Sequence, residues 1–293
     1  MNKRIESKVS ITALGTCLMR ATSYYEKDSC YKSEDFIAVE IIPWYLNIAA
    51  KYTISRSILK KALFKVPGIY EYIISRTKFI DEIFNSLAAN MDQVLIFGAG
   101  FDSRAIRFKN QLKNVKVFEL DAPVTQQAKI NRFTKKSIDF PPNLKFISID
   151  FTKESLAEKL DEAGFEKNRR CLFLLEGLTY YLDQESIDST LNLISEYSAK
   201  DSIIVFDYAS ASAVRQEKNY GDTKIEEHYK NLVKSGEKPG YMIEEPIEKF
   251  LEKYRFGLVK EVNSAQLAEK YFNKEDFERV AQKFRIVQGI KNV

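Results

Sequence analysis

The 293-residue sequence is poor in the residues that most metal and redox sites require. It has one histidine, His228, and three cysteines, none of which forms a CxxC pair or zinc-site spacing. We therefore expect no metal. Sparse, unpaired thiols are typical of a reducing compartment, and no leader or membrane-spanning run is evident, so we expect a cytoplasmic protein without a membrane partner. A net charge of +4 is too small and dispersed to favour a nucleic-acid partner.

Helical periodicity dominates the first ninety residues. Apolar residues recur three and four apart from Ile37 to Tyr45, from Ser55 to Phe64 and from Tyr70 to Ala89, with Pro43 and Pro67-Gly68 as helix breakers. We interpret residues 1–90 as a helical extension or cap. The basic residues within it, whose helical spacing favours a solvated helix face over a membrane or acidic partner, are Arg56, Lys60, Lys61 and Lys65.

Beyond residue 90, short apolar runs alternate with helical segments, which predicts an α/β fold with a mostly parallel sheet and helices on both faces. The predicted strands are Gln93–Phe97, Val115–Leu120, Leu144–Ile149, Cys171–Leu175, Ser202–Phe206, Leu258–Val262 and Phe284–Val287. The predicted helices are Ser103–Leu112, Val124–Lys135, Lys153–Ala163, Gln184–Ser198 and Glu244–Tyr254, and Ala265–Phe272 joins the last two strands. We assign residues 91–293 to this Rossmann-like domain, with a polar insertion or lid at about 210–240.

A glycine-rich segment, GAGFDSR, follows the first predicted strand and opens a helix. Gly98 permits a sharp turn, and Gly100, without a Cβ, would let a ligand lie against the backbone. The third glycine of a dinucleotide fingerprint would fall at Ser103, so a ligand without a pyrophosphate is favoured. A tight turn without a ligand is the alternative.

Acidic residues follow the next strands at the edge where parallel sheets bind ligands. Glu119 and Asp121 lie about twenty residues beyond the glycines, where a carboxylate can bind ribose hydroxyls. Asp121 is the stronger candidate, and a helix N-cap is its alternative role.

The third and fourth strands end in a similar way. Asp150 and Phe151 could bind an adenine amine and ring, although Asp150 could equally cap a helix. Glu176, with Gly177 after it, follows an apolar strand, so it either binds a cationic group or has a raised pKa.

The segments GAGFDSR, FELD, SIDF and LLEGLTYYL together resemble the leucine carboxyl methyltransferase family, in particular its bacterial and archaeal branch of S-adenosylmethionine-dependent O-methyltransferases. The resemblance extends over nearly the whole chain, from about Ile11 to the FGLVKE strand. It implies a class I methyltransferase fold with seven strands, the last antiparallel, and S-adenosylmethionine as cofactor, leaving S-adenosylhomocysteine as product.

The resemblance also implies roles for individual residues. Arg76 would pair with the cofactor carboxylate, for which a solvated helix arginine is the alternative, and Arg20 would act similarly. Asp121 would bind the ribose, and Glu176 would lie near the methionine end. The full set of expected cofactor-binding residues is Arg76, Gly98, Ala99, Gly100, Asp102, Arg104, Glu119, Asp121, Asp150, Phe151, Glu176 and Gly177.

The methyl acceptor is less defined by the sequence. A carboxylate acceptor is already ionised and needs no general base, which suits a chain with one histidine, itself in the insertion. We expect a carboxylate or hydroxyl of a small molecule or peptide, in a pocket for which Tyr180, Tyr181 and Tyr208 are candidates. The alternatives are a nicotinamide-dependent oxidoreductase and a catalytically inactive S-adenosylmethionine-binding protein.

Overall fold

The computed structural model describes residues 9–64, 66–150, 153–210, 241–272 and 283–292. The predicted lid at 210–240, His228, Lys65 and Phe151 therefore fall outside the described residues, apart from Ser210 at the edge of the lid. The α-helices of the described part are α1 Ile11–Tyr24, α2 Phe36–Ile41, α3 Trp44–Lys51, α4 Thr53–Leu63, α5 Ile69–Leu87, α6 Arg104–Arg107, α7 Pro123–Lys135, α8 Leu156–Glu162, α9 Gln184–Tyr197, α10 Ile247–Glu252 and α11 Ser264–Tyr271.

Seven strands form one sheet within the described residues, in the order β3-β2-β1-β4-β5-β7-β6. Strand β7 pairs antiparallel with both neighbours, whereas the pairs from β3 to β5 are parallel. The predicted strand number and the single antiparallel strand are confirmed. The strands are β1 Gln93–Phe97, β2 Lys116–Asp121, β3 Leu144–Ser148, β4 Cys171–Leu175, β5 Ile203–Ala209, β6 Phe256–Asn263 and β7 Phe284–Lys291.

One predicted helix is much shorter in the structure. The helix expected over Ser103–Leu112 is a single turn, α6, and turns follow it. The segment Ile37–Tyr45 is divided at Pro43, the predicted breaker, because the residue before a proline favours extended backbone. Ile42 has φ −73° and ψ 158°. A new helix, α3, begins immediately after this proline.

Each face of the sheet is covered by its own apolar core. Helices α5 and α11 pack against one face, and α8, α9 and α10 pack against the other. A third core joins α1, α2, α3 and α4 to Phe101, Ile106 and Phe133. The N-terminal helices thus cover the segment after β1, and Arg76 of α5 contacts Glu176 after β4 and Asp207 of β5. Among the described residues, no helix has the length and apolarity needed to cross a bilayer.

Candidate cofactor site

The loop after β1 contains two glycines in the left-handed backbone region, with φ +57° at Gly98 and +50° at Gly100. A Cβ on Gly100 would lie 2.9 Å from the Cβ of Ala13 in α1. The glycine therefore permits close approach of a helix. Helix α1 thus occupies the side on which a Cβ would lie, and a ligand contact with the Gly100 backbone stays a prediction. The adjacent Ala99 donates its backbone N–H to the Leu120 carbonyl at 3.1 Å, which joins the loop to β2.

Asp121 joins the glycine loop to the end of β2. Its Oδ2 accepts the Gly100 amide at 2.5 Å, and its Oδ1 accepts the Ala122 amide at 2.6 Å. Helix α7 has Ala122 as its N-cap without a side-chain cap bond, so the predicted alternative, that Asp121 caps this helix, is wrong. Burial raises the pKa of Asp121, and the two amide hydrogen bonds oppose that effect. Each carboxylate oxygen keeps a further lone pair for a ligand hydroxyl.

Glu119 lies two residues earlier on the same face of β2, but it is almost completely buried. It forms an ion pair with the equally buried Lys129 of α7. Burial raises the pKa of Glu119 to about 7, and Lys129 opposes this shift. These contacts give Glu119 a structural partner within the fold, whereas Asp121 stands at the open end of the strand.

Asp150 lies beyond the end of β3 and is partly buried. Its carboxylate pairs with the exposed Lys153 at 2.8 Å, and its backbone N–H donates to Glu154 Oε2. Helix α8 is capped by Ser155, so Asp150 is not its N-cap and that alternative is wrong.

Glu176 follows β4 and accepts a hydrogen bond from Arg104 Nη1 at 2.6 Å. Burial opposes ionisation of Glu176, but Arg104 and Arg76 outweigh it and lower the pKa of Glu176. The predicted alternative of a raised pKa is therefore wrong. Arg104 also contacts Asp102 and, at 2.7 Å, Asp81. Burial opposes ionisation of Asp102 too, yet the Arg104 charge lowers the pKa of Asp102 to about 2.

Arg76 of α5 lies between the ends of β4 and β5. Its Nη1 donates to Asp207 Oδ2 at 2.5 Å, and its Nε lies 3.0 Å from Glu176 Oε1. Arg76 is 4% exposed, so the alternative of a solvated helix arginine is wrong. Asp207 also accepts from the Gly177 amide at 2.6 Å and from Tyr72 Oη at 3.0 Å. Gly177 has φ +66°, and a Cβ there would lie 3.2 Å from Arg76 Nη1.

A second set of buried ion pairs lies beneath α1. Arg20 donates to Asp35 Oδ2 and to the Phe101 carbonyl, both at 2.7 Å. Asp35 accepts the Ser103 hydroxyl at 2.7 Å and lies 3.6 Å from Arg107 Nε. Arg20 thus has partners within the fold. Ser103, the residue in place of the third fingerprint glycine, links α2 to the loop.

These two sets form one chain of contacts, because Arg107 and Arg104 both bind Asp81. We call it the buried charge cluster. Its guanidinium groups are Arg20, Arg76, Arg104 and Arg107, and its carboxylates are Asp35, Asp81, Asp102, Glu176 and Asp207. With all nine groups ionised, these described residues have one carboxylate in excess.

One polar atom in the cluster is unsatisfied. Arg76 Nε is buried and has no hydrogen-bond partner among the described residues. It lies within ion-pair distance of Glu176 Oε1, but its N–H does not point at that oxygen. A buried donor without an acceptor is uncommon in folded proteins and calls for an explanation, such as a missing ligand.

Two of the three candidate tyrosines lie on opposite faces of the sheet. Tyr180 packs with the α5 face of the sheet, where its Oη lies 3.1 Å from Tyr72 Oη. Tyr208 packs on the opposite face and donates to Glu261 at 2.5 Å. Tyr208 also lines a mainly apolar cavity there, between β4, β5 and α9. Tyr181 belongs to the 3₁₀ turn Thr179–Tyr181 and is partly buried.

Several residues of the site were missed by sequence reasoning. Asp207 directly follows the predicted strand Ser202–Phe206, so its place after an apolar run was an available signal. Tyr72 precedes Arg76 by one helical turn and shares its face. Asp35 and Asp81 gave no comparable signal, because their partners lie far away in the sequence.

The chain is similar to known methyltransferases in both sequence and fold. The sequence profile of a family described as "Leucine carboxyl methyltransferase" matches residues 31–195, more than half of the chain. A Bacillus subtilis protein named "Putative S-adenosyl-L-methionine-dependent methyltransferase YktD" is 34% identical over 137 residues, which cover 46% of this chain and 45% of that protein. A Rhodococcus jostii protein named as another such methyltransferase is 26% identical over 69% of this chain and 67% of its own length.

A crystal structure from Thermobifida fusca, described as that of "a putative methyltransferase", superimposes with a TM-score of 0.59. It covers 98% of this chain and 96% of its own at 15% identity, and this likeness confirms the predicted fold. The first of the two sequence relatives is matched over less than half of its length. The profile match is nevertheless sufficient for the family assignment, and the chain belongs to the leucine carboxyl methyltransferase family.

Proposed function

We propose that the protein is an S-adenosylmethionine-dependent methyltransferase whose acceptor is an oxygen of a carboxylate, or else of a hydroxyl, in a small molecule or peptide. Family membership supports the reaction type, and two relatives are named for this cofactor. S-adenosylmethionine supplies an electrophilic methyl group on a sulfonium when it is bound. The protein must position the two reactants and exclude water.

The buried charge cluster is the main support for the cofactor. S-adenosylmethionine has a sulfonium, an ammonium and a carboxylate, and thus one net positive charge. The cluster has one carboxylate in excess and an unsatisfied buried donor on Arg76. A ligand with both an anionic group and a cationic excess satisfies both features, because buried charges are stable only when they are paired.

The residues of this chain divide the task by position. We assign the ribose hydroxyls to Asp121 and the cofactor carboxylate to Arg76. The cofactor ammonium is assigned to the ionised Glu176, whose pKa is held low by the adjacent arginines. Asp150 and Phe151 remain the predicted adenine contacts.

The buried tyrosines favour a carboxylate acceptor over a hydroxyl. Burial and the nearby Asp207 raise the pKa of Tyr180 well above its ordinary value. Burial and the Glu261 hydrogen bond likewise raise the pKa of Tyr208. Both shifts keep the phenols protonated near neutral pH and disfavour them as general bases. A carboxylate acceptor needs no proton removed before it attacks.

The first turn of α6 disfavours the nicotinamide-dependent alternative. The Arg104 amide, which would face a pyrophosphate at this helix N-terminus, donates to Asp102 Oδ1 at 2.7 Å. The Arg104 charge keeps the pKa of Asp102 at about 2, so this carboxylate is ionised and would repel a diphosphate.

Methyl transfer can be tested with S-adenosylmethionine that carries an isotopic label on the methyl group. The purified chain is incubated with matched acceptors that differ only in a carboxylate or a hydroxyl. We expect labelled product from carboxylates, and loss of the label as methanol in mild base, because methyl esters hydrolyse and methyl ethers do not. Label that is stable to base would instead assign the hydroxyl. Tight cofactor binding without product over the whole panel would favour the inactive binding protein.

A further inference from the structure

Helices α3 and α4 expose an unusual amount of large apolar surface. Ten large hydrophobic residues are exposed in the described part of the chain, and seven of them lie between residues 44 and 63. We call these seven the α3–α4 face: Trp44, Tyr45, Ile48, Tyr52, Ile54, Ile58 and Leu63. The two helices pack against each other, so their exposed residues belong to one local surface. Single exposed apolar residues are ordinary, but a concentration of this kind marks an interaction surface.

Helix α4 has its apolar side outward. Ile54 and Ile58, one turn apart, are 80% and 63% exposed, whereas Arg56 is 3% exposed. Arg56 donates to the carbonyls of Ala50 and Lys51, and its Nε lies 3.2 Å from Glu26. The predicted solvated face is therefore wrong for Arg56. These contacts fix the rotation of the helix and keep the two isoleucines in solvent.

The sequence of these two helices lacks acidic residues. No Asp or Glu occurs between residues 41 and 70, and Glu26 from outside this segment pairs with Arg56 and Lys60. Lys51 and Lys61 are exposed on the two helices. Lys61 follows Ile54 and Ile58 at helical spacing, on the same side of α4. The α3–α4 face thus combines exposed aromatic and aliphatic side chains with positive charge.

In place of the sequence-based expectation of no membrane partner, we propose that the α3–α4 face docks on the surface of an anionic phospholipid bilayer. Helices that lie in a membrane interface combine lysines with tryptophan and aliphatic residues and bind anionic lipids by charge. Tryptophan and tyrosine suit this zone because one part of the ring system is apolar and the other polar. Protein interfaces are in contrast depleted of lysine, which favours the bilayer over a protein partner. This inference is independent of the proposed chemistry.

Trp44 is the only tryptophan of the chain, so its fluorescence reports on this face alone. The full chain is titrated with phosphatidylcholine vesicles with or without phosphatidylglycerol, and binding is also measured by co-sedimentation. We expect a blue shift of the emission and sedimentation with the vesicles that contain phosphatidylglycerol. Added salt is expected to weaken both, because it screens the lysines.

Two variants test the face itself. The double variant Ile54→Ser/Ile58→Ser is expected to weaken vesicle binding about tenfold or more, since it removes apolar area that the bilayer would bury. Lys51→Glu/Lys61→Glu is expected to abolish the preference for phosphatidylglycerol. The matched control is Val259→Ser, which removes a 50% exposed valine from β6 and is expected to bind as the wild type does. Circular dichroism confirms that each variant is folded.

The proposal is overturned if the wild type neither shifts its emission nor sediments with phosphatidylglycerol vesicles. It is equally overturned if the isoleucine variant binds vesicles as well as the wild type. Light scattering that shows a dimer, converted to a monomer by the isoleucine changes, would assign the face to a second copy of the chain and would also overturn it.

Discussion

The buried charge cluster and the α3–α4 face both reverse the usual distribution of residues between interior and surface. The cluster holds ionised groups inside the fold, with Arg76 4% exposed and Asp207 completely buried. The α3–α4 face holds Trp44 and Ile54 outside, at 71% and 80% exposure. Ionised groups are costly to bury, and large apolar groups are unfavourable in water. Each region would therefore be stabilised by binding a partner.

The chemistry of the partner differs between the two regions. The cluster has directional donors and acceptors at fixed distances, which can specify the orientation of a small charged ligand. The α3–α4 face presents apolar area and positive charge without directional donors and acceptors at fixed distances. This suits a fluid surface such as a lipid bilayer. Stability and binding should therefore respond to substitutions in opposite ways in the two regions.

The largest expected effect follows Arg76→Ala. This change leaves Glu176 and Asp207 with less positive charge in a buried site, and we expect it to lower the free energy of unfolding by about 3–5 kcal/mol. Urea denaturation near pH 7 measures the change. Arg76→Lys keeps a charge and should lose less, and Lys61→Ala on the exposed face should lose under about 0.5 kcal/mol. Equal, small losses of unfolding free energy in Arg76→Ala and Lys61→Ala would contradict the proposed difference between the buried charge cluster and the α3–α4 face.

The next effect is a pH dependence contributed by Glu119. Its pKa is raised by burial to about 7, against about 4.3 in an unfolded chain, so the folded state binds the proton more tightly. Stability from this group therefore falls as pH rises from about 4.3 to 7, by on the order of 2–3 kcal/mol. The difference in unfolding free energy between wild type and Glu119→Gln, measured against pH, isolates this contribution. A difference that is constant over this range would contradict it.

The effect of Asp121→Ala is expected on the affinity for the cofactor. We expect it to weaken S-adenosylmethionine binding by roughly 1–3 kcal/mol, because hydrogen bonds to a charged group are lost. Isothermal titration calorimetry measures the affinity, and Asp121→Asn, which keeps the shape of the side chain, should show whether the charge is required. Unchanged affinity in Asp121→Ala would remove Asp121 from the site.

The smallest effect is expected when an apolar residue of the α3–α4 face is shortened and the stability of the protein is measured. Ile58→Ala should change the free energy of unfolding by less than about 0.5 kcal/mol, because Ile58 is 63% exposed. The matched change Ile74→Ala in α5, at a residue with no exposed area, should cost about 2–5 kcal/mol. Thermal and urea denaturation measure both. Similar losses at the two positions would mean that Ile58 is covered in solution.

For two central strands, both the first and the last residue could be predicted from the sequence. The segments Gln93–Phe97 and Cys171–Leu175 agree with the structure residue for residue, because a strand buried on both faces is a short, unbroken apolar run. The rotation of α4 could not be predicted in this way. Its sequence is amphipathic, but the side that turns inward is decided by Arg56 and its distant partner Glu26.

Part of the candidate site could likewise be predicted from the sequence, and part could not. The acids at strand ends, Asp121 and Glu176, follow from the rule that ligands bind at the carboxyl edge of parallel strands. The burial of Arg76 does not follow from local pattern, because its partner Asp207 lies 131 residues away. Likewise, the approach of α1 to Gly100 does not follow from local pattern, because Ala13 is distant from this loop in the sequence.

We propose that this site binds a sulfonium nucleoside of the S-adenosylmethionine type. The most direct test is calorimetric titration of the wild-type chain with S-adenosylmethionine, followed by NADH under the same conditions. We expect saturable binding of one S-adenosylmethionine per chain and no heat of binding with NADH. Binding of NADH, or the absence of binding with S-adenosylmethionine, would contradict it.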